Sequence, residues 1–195
     1  MKRIFVVTLA AVLLAGFSHI AHALPQTKNE PLIAQEYHVY TQAIAGASYT
    51  TKYNAKDANR THNLKLAADV INGRIIMPGE TFSFNEQTGD TNKEAGYKEA
   101  IVILKGKEIK GYGGGICQVS STLYNAALGA ELDIIERFAH GRQVFYVPEG
   151  LDATVAYGSV DLKFANTLDW PLIIVCEMGD GMLTVMLEKV LGVAE

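Results

Sequence analysis

The apolar positions of this chain change period along its length. Leu64, Ala67, Ala68 and Ile71 recur at helical spacing and Asn72-Gly73 follows, which predicts a helix behind the capping side chains of Asn59 to Asn63. A second helix is predicted after Gly113-Gly114-Gly115. There Val119, Leu123 and Ala127 step by four, Cys117, Ser121, Tyr124 and Leu128 form the adjacent stripe, and Gly129 closes the run. Elsewhere the period is that of strands. Phe82 and Phe84 alternate with Thr81, Ser83 and Asn85, while residues 100–104 and 108–112 flank Lys105-Gly106-Lys107 as a hairpin. Further short strands are predicted over residues 33–40, 74–77, 132–136, 143–147, 153–157 and 160–164, and residues 172–176 and 182–187 close as a hairpin through Gly179-Asp180-Gly181. Two principal helices with a mainly antiparallel sheet predict a single compact α+β domain.

The first residues carry an address. Met1-Lys2-Arg3 is basic, residues 4–17 are apolar or small, and Ala21-His22-Ala23 has a small-x-small pattern, so residues 1–23 read as a secretory signal peptide. The expected product is exported and extracytoplasmic, in the cell wall or periplasm. Its apolar run is shorter than the roughly 20 residues of a membrane span, and no later stretch is long enough, so no transmembrane span is expected in the mature chain. Residues 24–58 read as a tether leading to an edge strand, and residues 59–190 as the domain proper. Loss of Lys2 and Arg3 leaves 15 basic against 21 acidic residues, a formal charge of −6, which argues against nucleic acid as a partner. The mature chain's three histidines, His38, His62 and His140, lack paired ligand spacing; no metal and no cofactor are expected.

Chemistry concentrates at the second helix. Cys117 falls at its first turn, where unpaired N–H groups and the helix dipole favour a thiolate. A nucleophile, a disulfide with Cys176 and a packed inert thiol all remain open. A nucleophilic thiol needs a base and an orienting group, and His140 followed by Asp152 or Asp161 supplies both types. Arg137 and Arg142 flank His140 and could grip a substrate carboxylate. The triple glycine Gly113, Gly114 and Gly115 lets a ligand approach the backbone. Gln118, Ser120 and Ser121 could donate to an oxyanion or to sugar hydroxyls, or serve only as caps. A glycan-cleaving mechanism would use carboxylates instead, with Glu80, Glu86, Asp152 and Asp161 as candidates.

Several blocks together carry a family resemblance: Pro78 to Asn85, Gly96-Tyr97, Gly113 to Leu128, Glu136-Arg137 with His140, Tyr146 to Val155, and Asp161 to Phe164 with Asn166. In this order they resemble the VanW family, from about residue 60 to about residue 185. The resemblance implies a bacterial cell-envelope protein, some of whose relatives are encoded beside glycopeptide-resistance genes. The expected function is recognition, and in one reading processing, of peptidoglycan or its precursors in a cleft around residues 113–121, with His140 and Asp152 opposite. Three alternatives stand beside it: a cysteine-dependent peptidase or acyl-transferase on wall peptides, a carboxylate-dependent glycan-strand cleaver, and a non-catalytic accessory protein that works with another envelope protein.

Overall fold

The computed structural model describes residues 2–8, 36–104 and 106–194. Its largest sheet has five antiparallel strands in the order β1 (Lys2–Thr8), β2 (Glu36–Lys52), β10 (Met182–Ala194), β9 (Leu172–Gly179) and β3 (Ile75–Ile76). Two helices, α1 (Ala58–Ile71) and α3 (Ile116–Gly129), pack on this sheet, α1 over β9 and α3 over β2 and β10. A second sheet, β4 (Thr81–Ser83), β8 (Lys163–Ala165) and β7 (Asp133–Glu136), adds the stacked rings of Phe82 and Phe164, 5.0 Å apart. Leu64, Ile71, Phe84, Leu123, Leu162 and Leu183 belong to one buried cluster that joins both sheets to both helices. The hairpin of β5 (Glu99–Leu104) and β6 (Lys107–Tyr112) stands beside it. The architecture is the α+β class that the periodicity predicts. Among the described residues no helix is long and apolar enough to cross a membrane.

Lys2–Thr8, the described part of the expected signal, pairs along β2; its remainder and the cleavage point after Ala23 lie outside the described residues. The strand expected over 33–40 runs on to Lys52. Its pattern hides this length because Ala47, Thr41 and Thr51 are its buried positions, and small side chains leave little hydrophobic signal. Smallness has a packing cause: the Gly46 carbonyl meets the end of α3 at Gly129, where an added Cβ would lie 2.0 Å from it.

Other expected boundaries shift for local reasons. Helix α1 starts at Ala58 and so takes the Asn59–Asn63 stretch read as its cap into its first turns, because the Asp57 carboxylate accepts the Arg60 N–H at 3.1 Å. Asn63 is thereby turned into the core. The strand expected over 81–85 ends at Ser83, whose hydroxyl caps the short helix α2 (Phe84–Thr88) by accepting the Glu86 N–H at 3.1 Å. The strands expected over 143–147 and 153–157 are absent, and residues 138–160 make only the isolated bridges Phe138 to Thr154 and Ala156 to Val160. In the second of these the backbone of Ala153 and Val155 is claimed instead by side chains of α3. Of the strand expected over 160–164, the ladder keeps Lys163–Ala165.

The triple glycine is a bend packed against β5. Gly113 and Gly115 have φ of 79° and 114°, which side chains disfavour, and a Cβ on Gly114 would fall 2.4 Å from the Ile101 carbonyl. Asn63 fixes the bend from below, donating to the Gly114 carbonyl at 3.0 Å and to the Lys98 carbonyl at 2.9 Å. Gly114→Ala should therefore cost about 3 kcal/mol of overpacking. Gly150→Ala, at φ 83° with open space around it, should cost only about 1 kcal/mol of backbone strain. Urea denaturation of the two variants checks the contrast; equal losses would contradict the packing account.

Candidate functional site

Helix α3 carries an apolar face and, between its apolar positions, a buried polar one. Gln118, Ser120, Ser121, Thr122 and Asn125 are all buried, and their hydrogen bonds are spent on neighbouring backbone and side chains. Ser121 accepts the Ala153 N–H at 2.8 Å, Ser120 donates to the Ala153 carbonyl at 2.7 Å, and Asn125 donates to the Leu151 carbonyl at 2.7 Å. Gln118 donates to Thr51 and to the Lys52 carbonyl on β2, at 2.9 and 3.0 Å. These contacts hold a loop with no ladder of its own in one conformation. Gln118, Ser120 and Ser121 thus lie behind the cleft lining, bonded to backbone and, for Gln118, to Thr51 and the cleft-lining Arg60.

That cleft has a volume of about 1180 Å³ and runs between the triple glycine, the β5–β6 hairpin and residues 140–157. Cys117 and His140 both line it. His140 is held by Asp152: its backbone N–H and its Nδ1 each lie 2.6 Å from Asp152 Oδ2. The other carboxylate oxygen accepts from the Arg137 guanidinium at 2.9 Å, and Arg137 also donates to the Gly150 and Asp152 carbonyls. Burial pushes the Asp152 carboxyl up, but the bonds from His140 and the charges of His140 and Arg137 outweigh it and leave the carboxyl below its ordinary range. An ionised carboxylate only accepts, so His140 Nδ1 carries a proton and donates it to Asp152.

Cys117 departs from the simple helix-start expectation. Burial pushes the thiol up from its usual value, and the Asp152 charge adds to this; a hydrogen bond with the Val155 backbone and the Arg60 charge pull the other way without prevailing. The half-buried sulfur donates its hydrogen to the Val155 carbonyl at 3.5 Å, so at rest this is a neutral thiol at the cleft wall. It is not cross-linked: Cys117 and Cys176 are both free, and burial pushes the Cys176 thiol up to about 12. Tyr146 sits beside Cys117 with its phenol pushed well above the ordinary range by burial.

The remaining predicted residues are placed as follows. Arg142 reaches the cleft and pairs with Glu108 of the hairpin at 3.0 Å. Glu80 stands at the turn between β3 and β4, where it pairs with Arg74 and accepts the Met77 N–H at 2.8 Å. Asp161 is buried, accepting from Ser83 at 2.6 Å and from the Asn85 N–H at 2.9 Å. Neither Glu80 nor Asp161 borders the cleft, so the carboxylate pair of a glycan cleaver is not assembled there. Among the described residues no three metal-ligating side chains gather.

Arg60 is the residue that periodicity analysis passed over. It lines the cleft, donates to Gln118 Oε1 at 2.7 Å, and lies 5.4 Å from the centre of the Phe145 ring. A signal existed. Arg60 sits four residues before Leu64 and seven before Ala67, on the inward stripe of α1, and a cation there is out of place unless it faces something.

Fold and cleft together define an α+β domain with a thiol and an Asp-held histidine among the residues that line one cleft. The chain belongs to the VanW-like family: the family model described as "VanW like protein" matches residues 59–188. It is 40% identical over 166 residues to "Uncharacterized protein YoaR" of Bacillus subtilis, covering 84% of this chain and 54% of that protein. It is also 40% identical over 116 residues to "Vancomycin B-type resistance protein VanW" of Enterococcus faecalis, covering 57% of this chain and 42% of that protein. The chain thus spans about half the length of the relatives it matches. No solved structure matches it significantly.

Because the folded pKa of Asp152 is depressed, its stabilising effect is fully present above the unfolded value of about 4 and is lost as pH falls through the folded value below that. Asp152→Asn should cost about 3 kcal/mol at pH 7, since it leaves Arg137 short of its counter-charge. The gap to the parent should close as the pH falls below about 4. Urea titrations from neutral to acid pH read this directly, and a gap independent of pH would refute it.

Proposed function

We propose that this chain is an exported VanW-family protein that recognises peptidoglycan or its precursors in this cleft and processes their peptide part through Cys117. One observation carries the reading: Cys117 and His140 line the same cleft, and Asp152 holds His140 through its Nδ1. Exposed aromatic side chains at the rim support a glycopeptide ligand, with Phe145 78% and Tyr157 57% exposed beside the polar floor. The basic and apolar leader supports export. The name of the Enterococcus relative, a vancomycin resistance protein, supports a cell-wall setting.

A neutral thiol needs a base at the moment of attack. His140 Nε2 takes the proton as the Cys117 sulfur bonds to a peptide carbonyl carbon, and the oxygen becomes an oxyanion. Collapse of that adduct breaks the C–N bond, and the amine leaves with the proton returned by the imidazolium. Water or a second amine then displaces the thiol from the thioester, giving hydrolysis or transfer. Asp152 positions the ring and stabilises its charged form, and Arg137 in turn holds Asp152.

The burial that keeps Cys117 protonated also favours a second reading, a module that binds wall peptides without cutting them. One experiment separates the two. The purified protein is incubated with sacculi, and the muropeptides are analysed by mass spectrometry. New peptide ends or new cross-links are expected, and Cys117→Ala or His140→Ala should remove them while circular dichroism stays unchanged. Sedimentation with sacculi and an unaltered profile would establish the binding module, and no sedimentation with no change would sink both.

A further inference from the structure

Three arginines flank or line this cleft, and they differ in what they already hold. Arg137 is committed to Asp152, and Arg142 pairs with Glu108. Arg60 has no carboxylate partner among the described residues: its guanidinium donates to the neutral Gln118 Oε1 at 2.7 Å and faces Phe145. Asp57 favours its charge but holds its carboxylate on the cap of α1, and Asp90, which lines the same cleft, accepts from Asn92. The support beneath it is rigid. Gln118 is fully buried and donates through its own amide to Thr51 and Lys52, so its oxygen can aim one N–H group of Arg60 and leave the others toward the cleft.

A half-buried cation is costly to keep: burial pushes the Arg60 guanidinium below its ordinary value, and the nearby Asp57 charge offsets this only in part. An anionic ligand would offset that cost. A planar fork backed by an aromatic ring fits a carboxylate in bidentate fashion better than it fits a neutral amide. Arg60 and Cys117 line the same cleft, and the Arg60 charge favours the Cys117 thiolate, which places the anion site and the sulfur in one cavity.

We propose that Arg60 is the receptor for a free carboxylate of the bound ligand, so that the cleft selects peptides presenting an acid group beside the bond offered to Cys117. This rests on the wall-peptide reading for the identity of the ligand, and on geometry alone for its charge. Arg60 is a binding residue in this scheme; Gln118 positions it.

Cys117 itself supplies the probe. In the full chain carrying Cys176→Ser, the alkylation rates of Cys117 by iodoacetate and by its neutral analogue iodoacetamide are compared at one pH. Both reagents need the thiolate, so their ratio cancels the thiol pKa and reports the local preference for an anion. The ratio should exceed that of the same chain in denaturant by about tenfold, corresponding to about 1.4 kcal/mol. Arg60→Gln should return it to the denatured value while the iodoacetamide rate, corrected for thiolate, stays put; Arg60→Lys should keep part of it. A ratio that is not raised, or that Arg60→Gln leaves raised in a folded protein, overturns the proposal. Alkylation by neither reagent overturns it together with the thiol mechanism. An Arg60-dependent ratio in a protein that neither binds nor alters sacculi would retire the wall reading and leave the carboxylate site standing.

Discussion

The structure depends on the need of every buried backbone group for a partner. Residues 138–160 border the cleft with almost no ladder, and a segment of that kind would ordinarily be a surface loop. What orders it is the polar seam of α3, where Ser120, Ser121 and Asn125 take up the backbone of Leu151 and Ala153 from inside the fold. That fixes Asp152 between two anchored neighbours. Asp152 fixes His140, and the cleft wall follows.

The same accounting explains how the charges are arranged. Arg137, read from sequence as a ligand clamp, is a strut: it bonds two loop carbonyls and the Asp152 carboxylate and lies against the Tyr124 ring. Arg142 joins the loop after His140 to the hairpin through Glu108, and Gly106 at the hairpin tip comes up against the Gly141 carbonyl. The hairpin is therefore clasped to the far wall of the cleft. Exposed ion pairs of this kind contribute little to stability, so the clasp sets position more than it adds free energy.

The unit that folds is longer than the stretch matched by the family model. The family match begins at residue 59, yet β2 ends before it and supplies the longest strand of the main sheet. Thr51 and Lys52 at its end hold Gln118, which holds Arg60. The segment read as a tether thus reaches the cleft through two hydrogen-bonded steps.

Periodicity alone determined the two principal helices, the hairpins and the antiparallel character, because each rests on spacings of a few residues that the chain carries locally. It placed His140 and Cys117 at one site, and both do line one cleft. The partner of His140 was left between Asp152 and Asp161, and only the fold decided it: Asp161 is consumed by Ser83 and Asn85, which lie 78 and 76 positions away in the chain. Tertiary structure also decided that the polar residues of α3 look inward, that a thiol at a helix start stays protonated, and that Arg60 keeps a free charge. Such outcomes depend on which groups are desolvated together and which hydrogen bonds are already taken. No local pattern encodes those quantities, since burial and partnership come from contacts distant in sequence.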